Sequence, residues 1–403
     1  MKILQLCKKF PYPLKDGESI AVNTLSRSMT QMSAEVTLLA MNTTKHYYDT
    51  TQLPAGLNHY KEIFAVEVDN RIRLSDAFLN LFSKESYHIS RFISPAFRQK
   101  LIRLLQEKDF EVIQLETLYL APYIQVIRKH SDALIVMRTH NVEHEIWERI
   151  AGHTRIWWKR WYLKHLTAKL KRYEKEQLSK CDLLAPISSR DERTFQALGP
   201  CAPSTVIPIG LDPSHYEPDY DSFHRPLSVS FIGSLDWMPN QEGLKWFLDK
   251  VWGRVSKEFP DLQLHVAGRN TPDWLLRRKQ RNLIVHGEVP DAQAFINQHS
   301  LMVVPLLSGS GMRAKILEGM ALGKVVLSTR LGLEGIPATH GETVFVADTP
   351  QSFLDAFRSC VKEGKQLEYF GRKARGFATD HYDSQTIAKK LLQFYTTLTV
   401  EAL

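Results

Sequence analysis

The sequence predicts an α/β protein made of two domains, each built around a parallel sheet. The chain opens with a strand, a turn-rich loop, a helix and a second strand, as dinucleotide-binding folds do. Its second half alternates short apolar runs with segments of helical period, which implies parallel strands joined by right-handed crossovers. A length of 403 residues, with 43% hydrophobic and 24% charged content, suits two ordinary globular domains.

The N-terminal half carries the opening unit and several further elements. Its first loop contains Gly17 but no Gly-x-Gly fingerprint. We predict strands at 2–7, 35–40, 59–67, 112–115, 134–138 and 182–187, a helix at 20–32, and mainly helical segments up to 107 and over 147–180. An extended connector at 206–212 marks the domain boundary, which we place between 207 and 208.

The C-terminal half is more regular. We predict strands at 227–232, 262–267, 283–286, 301–305 and 324–328, and helices at 241–258, 272–279, 291–298, 312–322, 350–361, 365–378 and 384–398. Gly233, Gly268 and Gly287 each stand at or just after the carboxyl end of a strand, where open α/β sheets bind ligands and glycine lets the backbone approach them. Any one of these glycines is also explained as a turn residue, but the three together favour a crevice.

The most informative segment is 305–323, PLLSGSGMRAKILEGMALG. A Gly/Ser loop leading into a helix offers unpaired N–H groups and the positive end of the helix dipole, which together suit a phosphate. Arg313 and Lys315 fall in the first predicted turn, where the dipole disfavours cations, so an anionic ligand would explain them. Glu318 lies on a small, apolar stripe, where the hydroxyls of a ribose would offset its desolvation. An ion pair with Lys315 is the alternative.

The net charge and the cysteine content limit the classes of binding partner and the cellular compartment that we expect. The net charge of +8 and pI near 9.1 favour anionic partners: nucleotides, nucleic acid or a membrane surface. We find no nucleic-acid-binding module and expect no nucleic-acid partner. No apolar run is long enough to span a bilayer, the N-terminus begins a strand rather than a signal peptide, and four scattered cysteines lack metal-ligand spacing. We therefore expect a cytoplasmic protein.

A basic and aromatic stretch at 155–176 has two interpretations. Aromatic residues interleaved with Lys and Arg suit the surface of an anionic membrane. The same pattern is typical of a structural helix that buries its Trp and Leu face and exposes its cations, and the sequence slightly favours this second interpretation.

Several segments together resemble the retaining glycosyltransferases of the GT-B fold, in the large family four. They are KKFPYPLKDGE, MRTHNVEHEIWER, VIPIGLD, FIGSLDWMPNQEGLKWFLDKV, LHVAGRN, LIVHGEVPD and PLLSGSGMRAKILEGMALGKVVLSTRLGLEGI. The resemblance covers nearly the whole chain and is most specific in the C-terminal motifs. It implies two Rossmann-like domains facing across a cleft: an acceptor domain at 1–207, joined by a C-terminal helix at 384–403 that crosses back to it, and a nucleotide-sugar domain at 208–383.

The resemblance also implies roles for single residues. Glu318 matches the second glutamate of the family's E-x7-E motif, which holds the ribose hydroxyls. The N–H groups of Gly311 and Met312 would meet the diphosphate, the backbone around Val289 would lie against the base, and His140 would touch the donor sugar near the reaction centre. Gly233 and Gly268 would line the donor site, while Asp16, Gly17 and Glu18 would border the cleft.

The chain departs from the family pattern at two positions. Ser310 stands where the first glutamate of E-x7-E is expected, and Ser234 stands where the family has a diphosphate-binding arginine. We hypothesise that Arg313 is the main diphosphate clamp and that Lys315 supports it, because a planar guanidinium suits phosphate oxygens. Arg138 or Glu143 could orient His140, although an ordinary ion-pair role is favoured for both.

We therefore predict a retaining transferase in surface polysaccharide or glycan assembly. Its donor would be a nucleoside-diphosphate sugar, bound as a substrate and not as a cofactor, and its acceptor a hydroxyl of a glycan or a lipid-linked glycan at the inner face of the membrane. No Asp-x-Asp loop follows a strand, so we expect metal-independent transfer. Two alternatives stay open: a sugar-nucleotide epimerase of the same fold, disfavoured by the GSGMRAKILE signature, and a nucleotide-sugar-binding protein that has lost turnover, suggested by Ser310.

Overall fold

A computed structural model describes residues 1–14, 16–71, 86–154, 156–309 and 311–401. The chain forms two compact units. Unit 1 comprises Met1–Gly210 together with Ser384–Leu403, and unit 2 comprises Leu211–Asp383. The division lies after Gly210, where the sequence predicted it after residue 207.

Unit 1 contains a six-stranded sheet in the described part of the chain, and every strand pair is parallel. The strands are β1 Lys2–Cys7, β2 Glu35–Thr43, β3 Glu62–Val68, β4 Val112–Leu115, β5 Leu134–Thr139 and β6 Leu183–Pro186. Their order, β3-β2-β1-β4-β5-β6, is that of a doubly wound dinucleotide-binding domain. β3 begins later than predicted, because the turns that start at Pro54 still bind the N–H of Tyr60 to the carbonyl of Leu57.

The helices of unit 1 follow the strands as crossovers. They are α1 Gly17–Gln31, α2 Tyr87–Ser90, α3 Pro95–Glu107, α4 Ile124–His130, α5 Glu143–His153, α6 Trp157–Leu178, α7 Ser189–Leu198 and, from the end of the chain, α15 Ser384–Glu401. α1 starts at Gly17, which the sequence had placed in a loop with the helix starting at residue 20. The reason is the Asp16 side chain, which caps the helix by accepting the N–H of Ser19 at 3.0 Å. Part of the helical segment predicted before residue 107, residues 72–85, lies outside the described residues.

The single helical stretch predicted over 147–180 is wrong, since α5 and α6 are separate helices. Glu174, near the end of α6, is buried and accepts the backbone N–H groups of Glu143 and His144, at 3.0 and 3.3 Å. These two groups belong to the first turn of α5 and have no partner within that helix. A carboxylate from α6 therefore caps α5, which fixes the two helices as a hairpin.

Unit 2 repeats the topology of unit 1. Its strands are β7 Ser228–Ile232, β8 Gln263–Ala267, β9 Leu283–Gly287, β10 Leu301–Val304, β11 Val325–Ser328 and β12 Phe345–Val346. The order is β12-β11-β10-β7-β8-β9, again with parallel pairing throughout the described residues. The sequence missed β12, because two residues are too few to show a periodic pattern.

The helices of unit 2 are α8 Met238–Trp246, α9 Gly253–Glu258, α10 Asp273–Leu276, α11 Ala292–Asn297, α12 Ala314–Ala321, α13 Pro350–Glu363 and α14 Leu367–Tyr382. A π-helical segment, Phe247–Trp252, joins α8 to α9, so the predicted helix at 241–258 is continuous but not uniform. The helix predicted at 272–279 is a single turn.

The helix α15 completes the core of unit 1. Ile387, Leu391 and Tyr395 are buried and pack with Ile3 of β1 and Val22 of α1. No helix in the described part of the chain has both the length and the apolar composition needed to cross a membrane.

Unit 2 contains a buried lysine that fastens three segments together. Lys324, which precedes β11, is fully buried. Its Nζ donates to the carbonyl of Asp219 at 2.7 Å, to Oγ of Ser222 at 3.0 Å and to the carbonyl of Asn297 at 3.1 Å. Burial lowers the pKa of this amine to about 8. The three acceptors satisfy all of its N–H donors.

We expect Lys324→Met to lower the free energy of unfolding by about 2–4 kcal/mol, because three acceptors, one of them the buried hydroxyl of Ser222, would lose their donor. Urea unfolding measures the change. Lys362→Met, at an exposed position of α13, is the matched control and should stay near wild type. Equal stability of both variants would contradict a fastening role for Lys324.

Candidate functional site

The carboxyl ends of β7 and β10 lie side by side at the point where the strand order of unit 2 reverses. β10 pairs with β7 on one side and with β11 on the other. Open α/β sheets bind their ligands at such a switch point. We call the segments that follow the two strands, 233–237 and 305–313, the unit 2 crevice. Arg313, Lys315 and Glu318 come at the end of the second segment or directly after it.

Two glycines shape the second segment of this crevice. Gly309 and Gly311 have φ of +104° and +80°, which glycine adopts without strain. Arg313 is the N-cap residue of α12, with φ −94° and ψ 93°, so the helix begins at Ala314 and not at the predicted Met312. The N–H groups of Gly311 and Met312 therefore precede the helix. Ser310, between them and Gly309, lies outside the described residues.

Arg313 is held inside its own loop. Only 6% of the residue is exposed, its guanidinium donates to the carbonyl of Gly311, and its Cζ lies 5.6 Å from the ring centre of Trp237. A Cβ on Gly309 would stand 3.1 Å from Nη2 of Arg313, so that glycine also makes room for the guanidinium. The loop thus carries a fixed positive charge, while the clamp role stays a prediction.

Lys315 links the two segments of the crevice. Its Nζ donates to the carbonyl of Ile232, at the end of β7, at 3.2 Å, and to Oδ1 of Asn240 in α8 at 2.8 Å. Burial, reinforced by the charge of Arg313, lowers the pKa of Lys315 to about 7. A Cβ at Gly233 would lie 2.8 Å from Nδ2 of Asn240 and 3.1 Å from this Nζ, so a larger residue there would displace the two side chains that bond to each other.

Glu318 stands one turn further along α12. It accepts a hydrogen bond from the hydroxyl of Tyr216 at 3.4 Å. Because Lys315 donates to Ile232 and Asn240, the hydrogen-bonding partner of Glu318 is Tyr216, and not Lys315 as the alternative interpretation held. Burial raises the pKa of Glu318, against the effect of Tyr216 and Lys315. Two incoming hydroxyl donors would offset this desolvation.

The sequence missed a cation at the first segment of the crevice. Arg269 follows Gly268 after β8, and its Nη2 donates to Oγ of Ser234 at 3.1 Å. Ser234 also donates to Asp236. The departure from the family pattern at Ser234 is therefore accompanied by a guanidinium that reaches the same place from the neighbouring strand. The signal was present in the sequence, since Arg269 comes directly after a glycine predicted to line the crevice.

The other predicted donor residues of unit 2 lie around the same edge of the sheet. A Cβ at Gly268 would be 2.2 Å from the carbonyl oxygen of Gly233, so Gly268 allows two backbone segments to touch. Its N–H also donates to the carbonyl of Gly287 at 2.7 Å. Val289 is half-buried just beyond β9, and Met312 is buried. Their contacts with base and diphosphate stay predictions.

Unit 1 has its own switch point, between β1 and β4. The residue directly after β4 is Glu116, which is fully buried and lies next to His140. The Nε2 of His140 is 2.9 Å from Oε2 of Glu116, and Nη1 of Arg138 is 3.2 Å from the same oxygen. Gln5 and Gln114 donate to its other oxygen. His140 itself is 7% exposed.

Glu116 is the site residue of unit 1 that the sequence analysis missed. Burial alone would raise its pKa, but the charges of Arg138 and His140 and the bond from Gln5 outweigh burial and lower the pKa to about 2. A carboxylate that stays ionised so firmly fixes the ring of His140. Arg138, named as one candidate for orienting His140, acts on it through Glu116.

Glu143, the other candidate for orienting His140, accepts instead from the hydroxyl of Tyr119 at 2.9 Å. Burial raises the pKa of Glu143 to about 7, and the nearby charge of Glu174 adds to this shift, while Lys8 opposes it.

Charged pairs surround Gly17 at the carboxyl end of β1. Lys9 binds Asp16 at 2.6 Å, and Lys8 binds Glu18 at 3.3 Å. Burial would raise the pKa of Glu18, but Lys8 and Lys9 lower it. This edge of unit 1 therefore carries both signs of charge.

Unit 2 is similar in sequence to a known protein family. Residues 226–363 match the family model of glycosyl transferases group 1. An uncharacterized 44.6 kDa protein in the cps region of Klebsiella pneumoniae is 26% identical over 315 residues, which are 73% of this chain and 76% of that protein.

Solved structures resemble the whole chain. Sucrose-phosphate synthase from Thermosynechococcus elongatus superposes with a TM-score of 0.72 at 13% identity, covering 100% of both chains. HepE of Anabaena, in complex with UDP, gives a TM-score of 0.67 at 15% identity, covering 98% of this chain and 100% of that one. HepE has also been solved with UDP-glucose, with a TM-score of 0.65 and 14% identity over 98% of this chain and 100% of that one. The chain has the GT-B fold. The predicted resemblance to GT-B glycosyltransferases is confirmed.

The GT-B chain thus places the predicted residues at two edges, one in each unit. Arg313, Lys315 and Glu318 gather at the switch point of unit 2, and His140 lies beside that of unit 1. Each edge also holds ionic residues that were not predicted, among them Glu116 in unit 1 and Arg269 in unit 2.

We expect Glu116→Gln to destabilise the GT-B protein at pH 7 by about 3 kcal/mol, because it leaves the buried charge of Arg138 without its partner. The folded pKa of Glu116 lies below its ordinary value. Its contribution is therefore fully present above about pH 4.5 and lost as the pH falls towards 2.

Urea unfolding at pH 6, 4 and 3 tests this expectation. The difference in the free energy of unfolding between wild type and Glu116→Gln should become smaller as the pH falls. Glu111→Gln, at a half-exposed carboxylate, should show no comparable difference from wild type. A gap that stays constant down to pH 3 would show that Glu116 does not carry the ionic role.

Proposed function

We propose that this protein is a retaining glycosyltransferase, which moves a sugar from a nucleoside-diphosphate sugar to a hydroxyl acceptor. The observation that carries the proposal is that Lys315 and Glu318 stand one turn apart on one short helix at the switch point of unit 2. A desolvated amine there suits a phosphate, and a desolvated carboxylate one turn away suits a ribose diol. The group 1 family match over this unit supports the proposal.

The donor would lie along the unit 2 crevice. Its ribose would bind Glu318, and its diphosphate would meet the N–H groups of Gly311 and Met312 together with Arg313 and Lys315. HepE was solved with UDP and with UDP-glucose, which supports a nucleotide-sugar donor for a chain of the same fold. An incoming diphosphate would favour the charged form of Lys315, since opposite charges raise the pKa of an amine.

Transfer would then proceed with retention and without a metal. The bond between the anomeric carbon and the diphosphate oxygen breaks, and the acceptor oxygen forms its bond on the same face of the sugar. The acceptor proton passes to the departing diphosphate. Fixed positive charge from Arg313 and Lys315 would stabilise the negative charge that develops on the leaving group.

The acceptor would bind unit 1, with His140 fixed by Glu116 for contact with the donor sugar. Both signs of charge around Gly17 suit a glycan hydroxyl. The similar Klebsiella protein comes from a cps region, which supports a role in polysaccharide assembly. We place the reaction in the cytoplasm, in keeping with four free cysteines.

We expect Glu318→Ala to abolish most of the thermal stabilisation by the cognate donor. A ligand at about 100 times its Kd stabilises the native state by about 2.7 kcal/mol. Losing charge-assisted bonds to two ribose hydroxyls would weaken binding by roughly a hundredfold, which removes nearly all of that gain. A thermal-shift panel of UDP-, GDP-, ADP- and TDP-sugars makes the measurement.

Glu342→Ala, at an exposed position of unit 2, is the matched control and should respond like wild type. Full stabilisation of Glu318→Ala would refute the ribose role. Donor binding by wild type with no transfer to any acceptor would favour the alternative of a nucleotide-sugar-binding protein.

We expect Arg313→Ala and Arg269→Ala each to weaken binding of the cognate nucleoside diphosphate by about ten- to a hundredfold, because each removes a guanidinium from the diphosphate region. Binding of the matching nucleoside should not change. Calorimetry with both ligands separates the phosphate contribution from that of the base.

The control is Arg277→Ala, an exposed arginine paired with Asp273 on α10. If only Arg313→Ala weakens binding, the charge is supplied by Arg313 alone. If neither variant does, the diphosphate lies elsewhere.

A further inference from the structure

The helix α6 opens with a cluster of exposed aromatic residues. Trp157, Trp158 and Trp161 are 79%, 58% and 62% exposed, and Ile156, just before the helix, is 50% exposed. We call these four residues the α6 aromatic patch. Large aromatic residues are normally buried in soluble domains or engaged by a partner. Neighbouring exposed aromatic side chains of this kind mark an interaction surface.

The patch does not serve the core of unit 1. Leu163, Leu166 and Leu170 are buried and form the inner face of α6. Successive helical residues are turned by about 100°, so Trp157 and Trp161 stand on the opposite side of the helix. The interpretation favoured from the sequence, in which the Trp and Leu residues share one buried face, is therefore wrong for the three tryptophans.

The charge around the patch is of one sign. The 23 residues from Ala151 to Tyr173 contain no Asp or Glu and seven Lys or Arg. Lys159, Arg160 and Lys164 are exposed within the same turns as the tryptophans. Their cations would meet the negative headgroups of a bilayer while the indole rings enter the interfacial layer.

We propose that the α6 aromatic patch, with Lys159, Arg160 and Lys164, docks the protein on an anionic lipid surface. The indole ring suits the membrane interface because it is apolar in body and carries one N–H donor. A protein partner would need a groove for three adjacent indoles, whereas a bilayer accepts them without a matching shape. The inference concerns where the protein sits and does not depend on the proposed transfer.

Flotation of the full chain with vesicles tests the proposal. Vesicles of phosphatidylcholine mixed with phosphatidylglycerol should bind the protein, and vesicles of phosphatidylcholine alone should bind it far more weakly. The triple variant Trp157→Ala, Trp158→Ala, Trp161→Ala should bind the anionic vesicles at least about tenfold less. Changing Lys159, Arg160 and Lys164 to Gln should weaken binding by about fivefold for each cation removed and flatten its dependence on salt.

Matched controls come from unit 2. Lys245, Lys250 and Lys257 are exposed and lie on the helical run from α8 to α9, so changing all three to Gln removes the same charge elsewhere. Leu276→Ala with Tyr369→Ala removes exposed apolar side chains elsewhere. Both control variants should bind anionic vesicles within about twofold of wild type if binding is local to α6.

Two further measurements decide the outcome. Lipids brominated in their acyl chains should quench tryptophan fluorescence in wild type and not in the triple tryptophan variant, and thermal unfolding should show that all variants remain folded. Failure of wild type to bind anionic vesicles would overturn the proposal, as would equal binding by the triple tryptophan variant. Light scattering tests whether the patch binds a second copy of the chain instead. A change of oligomeric state in the triple tryptophan variant, with vesicle binding unaltered, would assign the patch to self-association and overturn the proposal.

Discussion

The positions of both candidate sites depend on one feature of each sheet. Two adjacent parallel strands send their crossovers in opposite directions. β1 with β4, and β7 with β10, are such pairs, and each stands at the centre of its sheet. Because the crossovers diverge, a crevice forms outside the carboxyl ends of these strands. Loops and helix starts gather there, with their backbone groups turned towards the same space. The ionic residues of both candidate sites stand at these two places because the strand order leaves them open.

The two edges treat buried charge in opposite ways. Glu116 is surrounded by donors and cations that hold it ionised, so its negative charge is compensated without any ligand. Lys315 and Glu318 are only partly compensated, since burial moves the pKa of each towards its neutral form. A site of the second kind gains most from a ligand that supplies the missing partners. The buried charge of unit 1 is therefore already satisfied within the protein, whereas the buried charges of unit 2 would be stabilised by a bound ligand.

Local pattern was enough to predict much of the fold. The apolar run of β1 and the amphipathic period of α15 each depend on neighbours in sequence, and both were placed nearly as observed. Glu116 and Arg269 were not predicted because a single polar residue after a strand has no periodic signal. The side chains that place them in the candidate sites, His140 and Ser234, are 24 and 35 residues away in sequence. The start of α12 was set too early, since a helical pattern does not reveal that Arg313 is extended. The exposure of Trp157 could not be read from the sequence because α6 has large apolar residues on both sides.

The place of α15 has a consequence for how the chain is made. Residues 384–401 complete the core of unit 1, and Tyr395 donates to Gln114 of β4, yet the whole of unit 2 is synthesised before them. On the ribosome, unit 2 can close around its own sheet while the groove along α1 is still unfilled. The apolar side chains of that groove, Val22 among them, remain exposed to water until α15 has emerged. A chain truncated near residue 383 would contain unit 2 complete and unit 1 open along a single helix-wide face.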